Sequence, residues 1–231
     1  MTQAHMPPTA ALADAAHRVG AFLRVAPANL RPLIPGSAVS GPALPFVHRG
    51  GADTLLEAID RARRGQVLVI DNQGRRDEAC VGDLLALEVQ VAGLAGIVVW
   101  GLHRDTSQLC SIALPLYSLG SLPIGPDPSS LHERQAASDR PALLGTHPVR
   151  ETDFVVADDD GVLLLGEGQF EQLVPIAREI EQTERSQAER LHGGETLRSQ
   201  LDLAGYLQAR ERDASLTFSQ HLRRIGGAIG A

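Results

Sequence analysis

The sequence predicts an α/β fold with a β-rich core and helices at both ends. Three observations carry this. Two short, continuously apolar runs, QVLVID (66–71) and GIVVWG (96–101), flank a helix-length segment, which is the pattern of a βαβ unit. DFVVADDDGVLLL (153–165) places two apolar runs on either side of an acidic turn, as a hairpin does. Apolar residues at three- and four-residue spacing mark the two ends of the chain as helical. At 231 residues the chain is long enough for one large domain. A single domain is expected over 1–231, with its core at about 10–170 and a helical extension at about 170–231.

In chain order, about Thr9 to Leu23 is expected as a helix with a small-residue face made by Ala10, Ala11, Leu12, Ala15, Ala16, Val19 and Phe22. Pro27 to Pro45 is rich in proline and glycine and allows short strands but no long helix. ADTLLEAIDRARRG (52–65) reads as a helix capped by Asp53 and stopped by Gly65. The first βαβ strand comes next, then a loop, NQGRRDEACVGD (72–83). LLALEVQVAG (84–93) is a helix with Asp83 as its cap and Gly93 as its end. The second βαβ strand runs parallel to the first. ALPLYSLG (113–120) and LPIGP (122–126) read as short strands, and Pro126 to Pro148 as a long loop or edge hairpin. A charged helix is expected from Gln169 to about Arg190, with Leu173, Ile176 and Ile180 on one face, and a further helix at 201–213.

Composition excludes several chemistries. The net charge of -7 argues against a protein that tracks nucleic-acid phosphates. All 21 basic residues are arginine. Without lysine there is no Schiff base, no pyridoxal phosphate anchor and no P-loop. Two cysteines, Cys80 and Cys110, make no disulfide framework and read as reduced thiols. The first ten residues do not have the make-up of a signal peptide, and no apolar run approaches the length of a membrane span. The expectation is a soluble cytoplasmic protein.

Two constellations carry chemistry. Gly82-Asp83-Leu84-Leu85 places a glycine before a helix start, where outward N–H groups bind a carboxylate or phosphate; its plain alternative is an ordinary aspartate cap. Arg104-Asp105 places a permanent charge beside a hard oxygen ligand; its plain alternative is a surface ion pair. Both lie at the carboxyl end of the same βαβ unit, where ligands of open α/β sheets bind. Together they are the equipment for stabilising an enolate: a helix start for a substrate carboxylate, Arg104 for the adjacent carbonyl, and Asp105 with Asp83 for a metal. Asp158-Asp159-Asp160-Gly161 lacks the spacing of a calcium loop and reads as a hairpin turn. The eight histidines form no ligand pair, and His103 reads as a non-ligand. Glu181, Glu184, Arg185 and Glu189 have helix-face spacing and read as a solvated, ion-paired surface or as the source of a carboxylate for a neighbouring subunit.

The segment from Gly65 to Asp105 resembles the centre of the RraA-like family, which includes 4-hydroxy-4-methyl-2-oxoglutarate aldolases, regulators of ribonuclease E activity and proteins carrying a menaquinone methyltransferase name. DFVVADDDGVLLL resembles its second hallmark, and LTFSQHLRRIGGAI a tail of one branch. The resemblance implies a swivelling β/β/α fold with N- and C-terminal helices, assembled as a homotrimer or a hexamer. It implies a class II pyruvate aldolase using Mg²⁺ or Mn²⁺, with oxaloacetate decarboxylation as a side activity, acting on a small 2-oxo acid. Arg104 matches the arginine on the pyruvoyl oxygens. Asp105 matches the direct metal ligand, Asp83 the carboxylate reaching it through water, and Gly82, Asp83, Leu84 and Leu85 the loop holding the substrate carboxylate. Glu184, with Glu181 as an alternative, matches a metal-site glutamate from an adjacent subunit. The other reading is a non-catalytic modulator of an RNA-processing enzyme. Pro45, Trp100, His103 and the ending GGAIGA depart from the family pattern, and Trp100 and His103 are expected to reshape the pocket.

Overall fold

The computed structural model describes residues 6–49, 53–126 and 141–225. Two compact units are present. One spans Leu23–Phe170, and the other comprises the described parts of Met1–Phe22 and Glu171–Ala231.

The Leu23–Phe170 unit is built on an eight-stranded mixed sheet in the order β1-β12-β11-β3-β4-β6-β8-β2. Its strands are β1 (Arg24–Val25), β2 (Arg31–Pro32), β3 (Val39–Val47), β4 (Val67–Asp71), β6 (Gly96–Trp100), β8 (Leu116–Ser118), β11 (Phe154–Asp158) and β12 (Gly161–Leu165). The expected βαβ unit is present: β4 and β6 are parallel, with Val67 opposite Gly96 and Asp71 opposite Trp100. They are continuously apolar because the sheet is covered on both sides. Val67, Val69 and Val98 enter one core cluster with Tyr117, Val155 and Leu164. Leu68, Ile70, Ile97 and Val99 enter a second, beneath three helices. Those helices are α2 (Asp53–Asp60), α3 (Asp83–Val91) and α4 (Thr106–Ile112).

β3 is longer than the short strands expected of its segment. Val39, Ser40, Gly41 and Pro42 pair antiparallel with β11, whereas Ala43 to Val47 pair parallel with β4. Each half has strand pairing on one side only, so Pro42 and Pro45 sit where a strand tolerates proline. The acidic run is the hairpin turn expected, with Asp158 opposite Gly161. The LPIGP segment is not a strand: next to it only Ser121 makes a bridge, to His103. Residues 127–140 of the expected long loop lie outside the described residues. Beyond them the chain forms a small hairpin of β9 (Leu143–Leu144) and β10 (His147–Pro148).

The other unit is helical: α1 (Thr9–Val19), α5 (Gln169–His192), α6 (Leu197–Gln200), α7 (Leu203–Arg212) and α8 (Phe218–Ile225), of which the first two residues of α5 belong to the sheet unit. α1 ends before the expected Leu23 because Gly20 takes a left-handed conformation and closes it. α5 buries Leu173, Val174, Ala177 and Ile180, close to the expected face. Tyr206 meets Phe218 edge-on at 5.0 Å, and the buried His221 is bonded through Nε2 to the Leu201 carbonyl at 3.0 Å. Among the described residues no helix is long and apolar enough to cross a membrane. The ending GGAIGA lies outside the described residues.

Candidate active site

The chain leaves β4 and β6 at the same end of the sheet and forms one further pair there. β5 (Ala79–Val81) and β7 (Leu102–His103) run parallel, with Val81 opposite His103. The Arg104 N–H donates to the Val81 carbonyl at 2.8 Å. The residues immediately after each strand, Gly82 and Arg104, are thereby brought side by side.

Gly82, not Asp83, is the cap residue of α3, and it supplies no side-chain hydrogen bond. Asp83 is the first helical residue, and its Oδ1 accepts from the Leu84 N–H at 2.7 Å. The aspartate is displaced from the cap because that position packs against Asp105. A Cβ built on Gly82 would stand 2.6 Å from Asp105 Oδ2 and 3.4 Å from Arg104 Nε. Only a residue without a side chain lets that carboxylate approach the helix start. Arg104 Nε lies 3.4 Å from Asp105 Oδ2, with both side chains partly exposed. Asp105 has φ 59°, a left-handed conformation that aspartate tolerates better than most residues. It caps α4 by position, yet its side chain makes no capping bond and is turned to the Gly82 side instead. Local backbone cost of this kind concentrates at functional sites.

All six sheet-unit candidates, Gly82, Asp83, Leu84, Leu85, Arg104 and Asp105, line one cavity of about 690 Å³. Arg104 and Asp105 also border a smaller one of about 300 Å³ with Thr106 and Ser121. Glu184 belongs to the helical unit, where it is exposed on α5, and Glu181 is paired with Arg185 at 2.7 Å. Hard carboxylate oxygens suit Mg²⁺ or Mn²⁺. Among the described residues no three His, Cys, Asp or Glu side chains form a closed cage. Asp105 and Asp83 at an open helix start fit an ion that keeps waters and shares its remaining positions with substrate.

His103 is buried, with both ring nitrogens facing hydroxyl groups. Its Nδ1 lies 2.7 Å from Ser118 Oγ and its Nε2 3.2 Å from Thr106 Oγ1, and burial pushes its pKa below the usual value. Trp100 and His103 do not line the larger cavity, contrary to expectation. Trp100 packs against the core and over Gly74, where a Cβ would meet the indole at 2.9 Å. The sequence pattern did not single out His48, which lines the cavity just beyond β3. Its Nδ1 lies 3.0 Å from Asn72 Oδ1 and 4.0 Å from the buried Glu78 carboxylate. Its place at the carboxyl end of a parallel strand was the signal available.

Residues 9–164 match the family model RraA-like, described as Aldolase/RraA. The chain belongs to the RraA-like family. This RraA-like chain is 29% identical over 151 residues to a Halalkalibacterium halodurans protein provisionally named 4-hydroxy-4-methyl-2-oxoglutarate aldolase, covering 65% of the chain and 70% of the relative. A Pseudomonas aeruginosa protein with the same provisional name is 32% identical over 108 residues, 47% of the chain and 64% of the relative. Among solved structures, Streptomyces coelicolor RraAS2, described as an unusual member of the RNase ES inhibitor RraA protein family, superposes with a TM-score of 0.66 at 27% identity. That match covers 79% of this RraA-like chain and 93% of RraAS2.

Proposed function

We propose that this RraA-like chain is a divalent-metal-dependent class II pyruvate aldolase. It cleaves a 4-hydroxy-2-oxo acid to pyruvate and a second carbonyl compound, and decarboxylates oxaloacetate as a side activity. The observation that carries the reading is the meeting of Arg104, Asp105 and the start of α3 across Gly82 in one cavity. The provisional names of the relatives at 29% and 32% identity support it.

Arg104 is assigned to the pyruvoyl oxygens, where a permanent charge with paired N–H donors stabilises a developing enolate. The backbone at Gly82, Asp83, Leu84 and Leu85 is assigned to the substrate carboxylate, which a helix amino terminus favours. Asp105 would hold Mg²⁺ or Mn²⁺ directly and Asp83 through water, with Glu184 of a neighbouring copy completing the set in a homotrimer or hexamer. When bound, such an ion polarises the 2-oxo carbonyl. The chain has no lysine, so the covalent amine route to the same products is closed. Catalysis should require added metal and fall sharply in Asp105→Asn.

A second reading draws on RraAS2, described as belonging to an RNase inhibitor family. The chain would then modulate an RNA-processing enzyme through its surface, and the net charge of -7 suits a basic partner. Such binding would be indifferent to chelator and to Asp105→Asn, which separates the two readings in one pair of assays.

A further inference from the structure

The cavity has a charged end and an apolar wall. Beyond Arg104, Asp105 and Asp83 it is lined by Leu55 and Leu56 of α2 and by Leu84, Leu87 and Val91 of α3. The three α3 residues share one helix face by their spacing. Leu56, Leu84, Leu87 and Val91 are 49%, 77%, 41% and 78% exposed. Several large aliphatic side chains held in water around one cavity mark a surface that gains from apolar contact.

The charges along that wall point the same way. Arg104 is the only arginine among the described lining residues, and the sequence has no lysine. Glu88 lines the wall with a negative charge. His48 is only 5% exposed, and its Nδ1 is engaged with Asn72. If Arg104 and the α3 start take the pyruvoyl end, a second substrate carboxylate meets, among the described lining residues, leucines and a glutamate and no further arginine. Stripping water from an unpaired carboxylate is costly.

We propose that the substrate is a monocarboxylic 4-hydroxy-2-oxo acid whose C4 substituent is apolar, seated on Leu56, Leu84, Leu87 and Val91. This rests on the pyruvate-aldolase reading and narrows its substrate class. It sets the chain apart from the 4-hydroxy-4-methyl-2-oxoglutarate in its relatives' names, which carries a second carboxylate.

The test uses two six-carbon 2-oxo acids that lack the C4 hydroxyl and so are not cleaved, 2-oxohexanoate and 2-oxoadipate. Binding of each to the full chain with Mg²⁺ present is measured by calorimetry. The expected result is tenfold or greater preference for 2-oxohexanoate, comparable to what apolar pockets achieve. Leu87→Arg, on the exposed part of the wall, should reverse the order by giving the second carboxylate a partner. Equal or tighter binding of 2-oxoadipate by wild type overturns the proposal. So does equal binding of both acids with no effect of Leu87→Arg, which would mean the leucine wall faces a second copy of the chain. Failure to bind either acid also overturns it. Pyruvate release from oxaloacetate, measured separately, tests the aldolase reading itself, so the two failures are distinguishable.

Discussion

Replacing Gly82 with alanine should disable the site while leaving the fold intact. The backbone at Gly82 has φ -133° and ψ -175°, an extended conformation that alanine adopts without strain. The new methyl would stand 2.6 Å from Asp105 Oδ2, whereas ordinary contact begins at 3.4 Å. The carboxylate must therefore retreat by about 0.8 Å, a loss of van der Waals space that only movement can relieve. Asp105 is partly exposed, so it can move without disturbing the core. Stability should change by less than about 1 kcal/mol, since the strain at the site is offset by the smaller chain entropy of unfolded alanine. In a chain of this size that is a melting shift of at most about 2–4 °C. Displacement on the order of 1 Å in a catalytic constellation costs roughly 10²-fold in rate. The assay is metal-dependent pyruvate release alongside thermal denaturation. A Gly82→Ala protein that melts normally and turns over at the wild-type rate would refute the claim that Asp105 acts where it meets the start of α3.

Three other expectations rest on the same geometry. Arg104→Lys should lower kcat by roughly 10²-fold, because an ammonium cannot reproduce the paired donors of a guanidinium; an unchanged kcat would remove Arg104 from the pyruvoyl site. Glu184→Gln and Asp105→Asn proteins, each inactive alone, should regain activity when refolded together if the glutamate serves a neighbouring copy, and assay of the mixture reads this directly. Tyr117 is fully buried, its hydroxyl donates to the Ser37 carbonyl at 2.7 Å, and burial raises its pKa well above the ordinary value of 10.0. The unfolded chain therefore ionises this phenol first. The stabilisation is complete below pH 10.0 and is lost as pH rises from there toward the raised folded value. Denaturant melts across that range should show the alkaline loss flattened in Tyr117→Phe, with about 1 kcal/mol lost at neutral pH from the missing hydrogen bond.

How much of this was legible in the sequence depends on whether the physics was local. β4 and β6 were legible because both faces of the strands are buried and the runs are unbroken. The start of α3 was legible because glycine and aspartate precede an apolar helix, although which of the two caps it was not: that is decided by Asp105, which lies 23 positions downstream of Gly82 in the chain. β5 and β7 were hidden because they hold three and two residues and exist only where two loops meet. The length of β3 was hidden by Pro42 and Pro45, which are harmless only because strand pairing changes sides at Ala43. The left-handed backbone of Asp105 leaves no trace in composition or periodicity. Nor does the role of Asp71, a fully buried carboxylate whose two oxygens accept from the N–H groups of Gln73 and Leu143. His48 was hidden for a related reason: its partners Asn72 and Glu78 are 24 and 30 positions away in the chain.

The central claim is that Arg104 and Asp105 meet the helix start in order to work on a carbonyl with a metal. Its most direct test is pyruvate formation from oxaloacetate by the purified chain, with Mg²⁺ or Mn²⁺ and then with excess EDTA, in wild type and Asp105→Asn. The account predicts turnover that appears with metal, vanishes with chelator and is lost in Asp105→Asn. Turnover indifferent to chelator, or no turnover by wild type under any condition, would contradict it; the second result would favour the binding-protein reading.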